Sequence, residues 1–449
     1  MNCFKMPVIL LASIYIVSCS NYSLFVEVMD SAGSNRSELE TVLDHYRIDD
    51  PNPEKYKAAE YIIENLSAHY SYSGTKIQEY YGYAASILSD TSLTPEQQRD
   101  SLLEKTDRVY KGISSCTVPD AQIIKSGFLI ENIDKSYQQW QTCPWARQLS
   151  YDEYLEWLLP YKAVELQELD CWRDTLLVHF CSGLDNPVKN DVEYNTTVGV
   201  ADMIRRDTYN SLNRYGLYTR SGLPLLSAQL LVRQTYGDIP DYAITAVLAF
   251  RAAGIPAVLD ETPVGSRNTA AVKWFVIKSD RGEELRSEWD LSTMIGGGFF
   301  PYERGPKVYR NTYSINRKRL DYKRKAKYKY PFELGKDDVT DRYFLTSNLT
   351  LPIEKAVRKC LKDKYVYIAS AVRDNQNPWQ IVDFGILRHG KACFENMGRE
   401  VLYCVFGFDG EELIPITSPF ILHKDQSCEY VCSDTIGSTA LNKWKNNKL

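Results

Sequence analysis

The chain has 449 residues, 44% of them hydrophobic and 25% charged, which is ordinary for a globular protein and excludes a disordered chain. That length accommodates two to three domains with a sizeable core. The formal net charge of −5 is too mild to single out a polyanionic or polycationic partner, and 32 tyrosines favour half-buried sheets over long polar helices.

The first 18 residues read as a targeting segment. Lys5 supplies a positive start, and Val8 to Val17 form an apolar stretch far short of the ~20 residues that span a bilayer. The stretch ends in Ile16-Val17-Ser18-Cys19, which resembles the lipobox of bacterial lipoproteins. The resemblance implies cleavage before Cys19 and acylation of its thiol. Two or three acyl chains anchor a protein stably where one does not. Residues 19–33 are then a tether. No acidic cluster follows the cysteine, so the expected place is the outer membrane facing the periplasm, with the cell surface as the alternative.

From 34 to 195 the pattern is helical. Asn35 and Glu38 suit an N-cap and capping pair, followed by Leu39, Val42, Leu43 and Tyr46 at helical spacing. Pro51 and Pro53 break this helix. A second is predicted over Glu54–Ala68, and others over Pro95–Gly112 and Tyr151–Leu159, the last ended by Pro160. Trp140, Trp145, Trp157 and Trp172 read as core anchors. The segment 236–290 reads as capped helix, turn, strand, loop and strand. Asp238 suits the cap, Pro240 and Asp241 the first turn, and Ile244, Val247 and Leu248 an apolar face with Arg251 outside it. Gly254 and Pro256 stop the helix, Ala257 to Leu259 enters a strand, and Val272, Trp274 and Val276 alternate on the next.

Residues 307–329 hold ten Lys or Arg against a single acid, Asp321, with tyrosines interleaved. The run reads first as a solvated connector, a basic linker over 306–336. Clustered charge of this kind also suits nucleic acid. In an exported lipoprotein, acidic glycans or lipid headgroups are the expected polyanions, and nucleic acid is not. Beyond it, period-two runs at 365–372, 379–387, 391–394, 401–408 and 413–416 are separated by turn signals and predict an antiparallel sandwich over 337–433. Asp409-Gly410 is the expected hairpin turn. Residues 434–449 form a polar tail.

The 236–290 block resembles the core of transglutaminase-like domains. In that family a cysteine opens the helix, and a histidine stands two residues before a tryptophan on the later strand. The matching frame here is Gly237-Asp238 before the helix, Arg251 to Pro256 at its end, and Trp274. Further pieces, WLLPYK at 157–162, DDVTDRYF at 337–344, Met397-Gly398 and Ser418 to Phe420, resemble multi-domain lipoproteins of Bacteroidetes. The resemblance implies an α+β chain with a transglutaminase-like (papain-like) core over 196–305. It also implies a lost dyad: Ile239 stands at the cysteine position and Val272 at the histidine position. The third, carboxylate position falls on Glu288 or Asp290. A helix N-terminus lowers a thiol pKa and a histidine takes its proton, so neither side chain here can replace that chemistry. A shifted register does not restore it, because no cysteine occurs from 182 to 359 and no histidine from 180 to 388.

The reading is therefore a membrane-anchored envelope lipoprotein, a pseudoenzyme whose cleft, with Asp238, Asp241, Lys273 and Trp274, binds peptide or glycan. An alternative keeps catalysis through carboxylates among Asp238, Asp241, Asp260, Glu261, Glu288 and Asp290, since a pair about 5–9.5 Å apart serves glycoside hydrolysis. A third is an assembly component docking an envelope protein through the basic run. No cofactor or metal is expected. Gly296 to Gly298 lacks a phosphate-loop lysine and reads as a turn. Most cysteines read as small buried residues, and Cys428 and Cys432 are near enough in sequence to pair.

Overall fold

In the computed structural model, residues 24–113, 116–181, 196–212, 224–234, 239–265, 271–287, 304–374 and 378–431 are described. The protein is mixed α+β with antiparallel sheets. Its contacts divide it into two units. One holds residues up to Ala257 together with Ile277–Leu285, and the other Val258–Val276 with Arg286 onward.

The first unit is helical. After α1 (24–31) come α2 (Arg36–Asp44), α3 (Pro53–Asn65), α4 (Thr75–Ser89) and α5 (Pro95–Ile113). Then follow α6 (Ser126–Thr142), α7 (Tyr151–Trp157), α8 (Trp172–Phe180), α9 (Thr197–Leu212), α10 (Ala228–Leu231) and α11 (Ile239–Ala252). A short ladder joins β1 (Tyr70–Tyr72) to β2 (Thr117–Pro119). The Pro51–Pro53 break is where α3 begins. Pro53 takes the first helical position and Asn52 caps the helix, its carboxamide oxygen accepting from the Glu54 and Lys55 amides at 3.0 Å each. The expected Asn35–Glu38 cap is absent. Asn35 already has helical backbone angles, so its side chain turns inward and donates to the Ala121 and Ile124 carbonyls, while Glu38 accepts from the Ser126 amide and hydroxyl. Trp157 and Trp172 are buried in the core. Trp140 stacks on Tyr154, and the Trp145 indole donates to the Ala253 carbonyl at 2.8 Å.

Helix α11 is buried on every side: Tyr242, Ala243, Ala246, Ala249 and Phe250 have no exposure, and it packs against α8 and α9. Arg251, expected outside the apolar stripe, is buried too. Its guanidinium donates to the carbonyls of Trp157, Ala257 and Lys162. Arg173 repeats the arrangement on the carbonyls of Leu158, Leu159 and Arg251. Burial pushes both guanidinium groups down to about 9. The WLLPYK segment is thereby explained: Pro160 prevents further helix, and the carbonyls around it are consumed by two arginines rather than by backbone amides. Its last two side chains reach a buried carboxylate, with Tyr161 donating to Asp120 at 2.7 Å and Lys162 pairing with it at 2.5 Å.

The second unit is built on sheets. A five-stranded sheet has the order β5-β4-β3-β6-β7, with β3 (Ala257–Thr262), β4 (Val272–Lys278), β5 (Glu284–Arg286), β6 (Tyr309–Asn311) and β7 (Lys336–Asp338); the division between units runs through β3 and β4. Helices α12 (Arg317–Lys325) and α13 (Lys355–Cys360) follow in this unit. The strands expected as a sandwich form one eight-stranded antiparallel sheet. Its members are β8 (Thr346–Pro352), β9 (Tyr365–Ala371), β10 (Trp379–Arg388), β11 (Lys391–Gly398), β12 (Val401–Phe408), β13 (Leu413–Pro415), β14 (Phe420–Leu422) and β15 (Cys428–Tyr430), in the order β15-β14-β12-β9-β10-β11-β8 with β13 also on β12. The sheet curls, so that Leu349 and Leu351 from one edge share a core with Phe420 and Leu422 from the other. Gly398 permits a close backbone approach there, since a Cβ on it would lie 1.8 Å from the Gly305 carbonyl oxygen.

The two-residue hairpin is His389-Gly390, both at positive φ, joining β10 to β11. The expected Asp409-Gly410 turn also makes a hairpin, with a four-residue loop over 409–412 joining β12 to β13, in which the Asp409 carboxylate accepts from the Glu411 and Glu412 amides. The basic run is not a solvated connector. It supplies β6 and α12, and Tyr322 of that helix, with Ala326 just after it, packs on the outer face of the sheet against Tyr365, Tyr367 and Phe384. The cysteines are less buried than expected. Of the eight described, only Cys181 and Cys404 are buried, while Cys171 and Cys360 are exposed; Cys428 is half-buried and Cys432 lies outside the described residues.

Candidate functional site

Of the positions singled out in the sequence, Cys19, Asp238, Glu288 and Asp290, with the Gly296–Gly298 turn, lie outside the described residues. Ile239 is the first residue of α11, and Val272 is the first of β4. Asp241 sits in the first turn of α11, where its carbonyl accepts from the Thr245 hydroxyl at 2.7 Å. Ile239 and Asp241 fall in the first unit, and Val272, Lys273 and Trp274 in the second. Trp274 is 2% exposed, its indole N–H donating to the Tyr343 hydroxyl at 3.0 Å, so it is an internal packing residue.

The strand carboxylates next to these positions are fully engaged. Asp260 is completely buried. Arg310 grips it with two hydrogen bonds of 2.8 and 2.9 Å, and the Tyr343 hydroxyl donates to it at 2.6 Å. Burial and the neighbouring Asp260 hold the Tyr343 phenol well above its ordinary value, so it stays a donor. Glu261, the next residue, projects from the opposite face of the strand. It pairs with Lys273 and, at 2.7 Å, with Lys336. Burial opposes its charge, but Lys336 and then Lys273 outweigh that and bring it to about 2. Both carboxylates are thus tied up in ion pairs and are not presented to a substrate for acid–base work.

The second unit carries a cavity of about 450 Å3 beside β6, β7 and α12. Two adjacent strands bulge at its wall: β10 between Ile381 and Asp383, and β11 between Phe394 and Met397. A bulge breaks the alternation of a strand and re-aims a side chain. Here it turns Asp383 and Glu395 toward the cavity. The Val382 carbonyl, at the β10 bulge, accepts from the Tyr309 hydroxyl at 2.7 Å.

Beneath this wall lies Lys307, which has no exposure. It bonds the Glu395 carbonyl at 2.8 Å, pairs with Asp383 at 3.0 Å, and also pairs with Asp338. Burial works against the charge on both sides of this arrangement, yet Asp383 and Asp338 hold the Lys307 ammonium up, and Lys307, Lys318 and Arg319 hold the Asp383 carboxyl down. Asp338 also accepts from the Thr340 amide and hydroxyl and from the Asn396 carboxamide, which accounts for the DDVT part of the 337–344 motif. Arg319 lies 4.4 Å over the Tyr309 ring and donates to the Glu333 carbonyl. At the rim, Lys318 pairs with Glu395 at 2.9 Å and Asn316 donates to Asp337 at 2.9 Å.

The cavity lining thus alternates pure donors, Lys318, Arg319, Lys336 and Arg342, with pure acceptors, Asp337, Asp341, Asp383 and Glu395, and contains no Ser, Thr, Cys or His. Sequence reasoning missed this site. Its one visible signal is a basic run followed within a few residues by Asp337, Asp338 and Asp341, and the bulges that close it leave no mark in the strand pattern. Among the described residues no group of three or more His, Cys, Asp or Glu is placed to hold a metal ion, and no helix is long and apolar enough to cross a membrane. No family model, curated protein or solved structure matches this chain.

Proposed function

We propose that this chain is a lipid-anchored envelope protein that binds a glycan through the charged cavity of its second unit and does not cleave it. In this reading the 196–305 segment is a transglutaminase-like frame whose reactive positions have become Ile239 and Val272, and Cys19 carries the anchor. The observation that carries the ligand class is the lining of interleaved donors and acceptors. A sugar hydroxyl both donates and accepts, so each can satisfy a carboxylate and a cation together. An apolar peptide side chain would instead strand those groups without partners. The absence of Ser, Thr, Cys and His from the lining, and the ion pairs that engage Asp260, Glu261 and Asp383, favour binding over turnover.

The experiment is a glycan array followed by calorimetric titration of the full chain, with Lys318→Ala and Glu395→Ala as site variants. Each rim group supplies a charge-assisted hydrogen bond, so each variant is expected to weaken binding by about tenfold, or ~1.5 kcal/mol. Peptide ligands bound in preference to glycans would refute the ligand class. Release of reducing ends by wild-type protein, abolished in Glu395→Ala, would establish a carboxylate hydrolase instead.

A further inference from the structure

Among the described residues the second unit buries four cations, Lys307, Arg310, Arg319 and Lys336. Three of them hold carboxylates: Lys307 holds Asp338 and Asp383, Arg310 holds Asp260, and Lys336 holds Glu261 and Glu333. Arg319 holds none. It is 6% exposed and lies 4.4 Å over the Tyr309 ring and 5.6 Å over the Phe332 ring. Its side chain makes one hydrogen bond, from Nη1 to the Glu333 carbonyl at 3.0 Å, so Nε and Nη2 have no acceptor among the described residues. Asp383 acts on Arg319 only through space and is itself bound by Lys307 at 3.0 Å. Both idle nitrogens keep some solvent contact, and the opening that Arg319 lines is the cavity of about 450 Å3. The Nε–Nη2 edge is the one that Arg310, earlier in the same basic run, turns on Asp260, with Nε on one oxygen at 2.8 Å and Nη2 on the other at 2.9 Å. Such paired, planar contact is the guanidinium's match for a carboxylate. A buried guanidinium with an unused edge is costly, and an incoming acceptor recovers that cost.

We infer that Arg319 sets the specificity of the cavity by seating the carboxylate of an acidic sugar, a uronic acid, within the glycan bound there. The inference rests on the glycan reading and names the kind of glycan. The lining lysines are less suited to the task, because Lys318 already pairs with Glu395 and Lys336 with Glu261 and Glu333. The lining as a whole carries four cations and five acids, so it exerts no general pull on anions. The attraction comes from one directed contact. A single carboxylate among neutral sugars therefore fits. A phosphate group, with a charge of about −2, or a densely charged polyanion brings further negative charge against the lining acids.

The test titrates the full chain with a panel of oligosaccharides that each carry one glucuronic acid, each beside a twin whose carboxyl is reduced to the primary alcohol. Hydrogen bonds to a charged group are expected to favour the acidic twin by roughly 10- to 100-fold. Arg319→Lys keeps the charge but loses the fork, and Arg319→Gln loses both, so each should lose most of that preference. The readout is the ratio between twins, because a merely structural role for Arg319 would weaken both twins alike and leave their ratio standing. The wild-type ratio needs no variant, so a variant that fails to fold does not shelter the inference. Equal binding of the twins by wild type overturns the inference and leaves the glycan reading intact, as does a preference that survives both substitutions. Binding of no member of the panel overturns both readings. A densely sulfated polysaccharide that binds more tightly than the acidic twins would reveal a diffuse positive field and overturn the assignment to one directed contact.

Discussion

Replacing Arg310 by Met tests whether the Asp260 centre holds the second unit together. Asp260 has no exposure and receives three hydrogen bonds, two from Arg310 and one from Tyr343. Met keeps much of the apolar stem but removes both charged bonds, leaving a buried carboxylate with a single neutral donor. Removing one partner of a buried ion pair costs about 3–5 kcal/mol, mainly because the other charge is stranded. The surviving Tyr343 bond puts the expectation near the lower end, ~3 kcal/mol. Guanidinium unfolding followed by tryptophan fluorescence reports it, since Trp274 adjoins Tyr343. The double variant Asp260→Asn, Arg310→Met removes the stranded charge and keeps an acceptor for Tyr343. It should recover at least half of the loss. A single variant costing under ~1 kcal/mol, or a double variant as unstable as the sum of both singles, would refute the account of a desolvated, mutually dependent pair.

Two further outcomes concern the helical unit. Arg251→Met should destabilise it by about 3 kcal/mol or more, because the carbonyls of Trp157, Lys162 and Ala257 lose their donor and each unsatisfied buried group costs ~1–3 kcal/mol. Arg251→Lys should rescue little, since one ammonium cannot replace a fork aimed at three carbonyls, and a silent Lys variant in denaturant melts would contradict this. Stability should also fall between about pH 4 and pH 7. Burial, with Asp170 adding to it, raises Glu168 to about 7, and burial raises Asp170 to about 6. Their folded values exceed the unfolded ones, so the folded state binds more protons; the contribution is complete below the unfolded values and is lost as pH rises through the folded ones. Glu165 and Glu261, both held to about 2, act in the opposite sense, and only as pH falls below ordinary carboxyl values. Glu168→Gln should flatten the neutral slope, which midpoints measured across that range will show; an unchanged slope would rule out Glu168 as its source.

Local punctuation in the sequence was reliable where it used backbone chemistry alone. Gly254, at φ +76°, and Pro256 end α11, and β3 begins at Ala257. The Pro53 start of α3 and the strand runs from 365 to 415 also follow from local rules. The failures share a different cause. Asn35 and Glu38 have capping chemistry but are drawn to partners about ninety residues away. Arg251 looks like a surface residue because its charge is visible and the three carbonyls that receive it are not. Strand β8 was missed because Asn348, Thr350 and Pro352 make it look like a loop, although its alternate residues Ser347, Leu349 and Leu351 are buried. In each case the deciding partner is distant in sequence.

The run 307–329 carries this point to function. Counted along the chain it is one block of positive charge and reads as a connector. Folded, its cations separate into two populations. Lys307, Arg310 and Arg319 go inward, where Asp338 and Asp383, Asp260, and the Tyr309 ring with the Glu333 carbonyl respectively compensate their burial. Lys323, Arg324 and Lys325 at the end of α12, and Lys327 and Lys329 beyond it, stay exposed. The inward group is costly to bury and tolerable only with its carboxylates in place. It therefore fixes where Asp383 stands and shapes the cavity wall. The outward group costs little to expose. Lys327→Gln should thus leave stability and cavity binding unchanged, whereas Lys307→Met should strand Asp383 and Asp338 and lower both together. Loss of both properties in the Lys327 variant, or of neither in the Lys307 variant, would show that the division by burial is not the division by role.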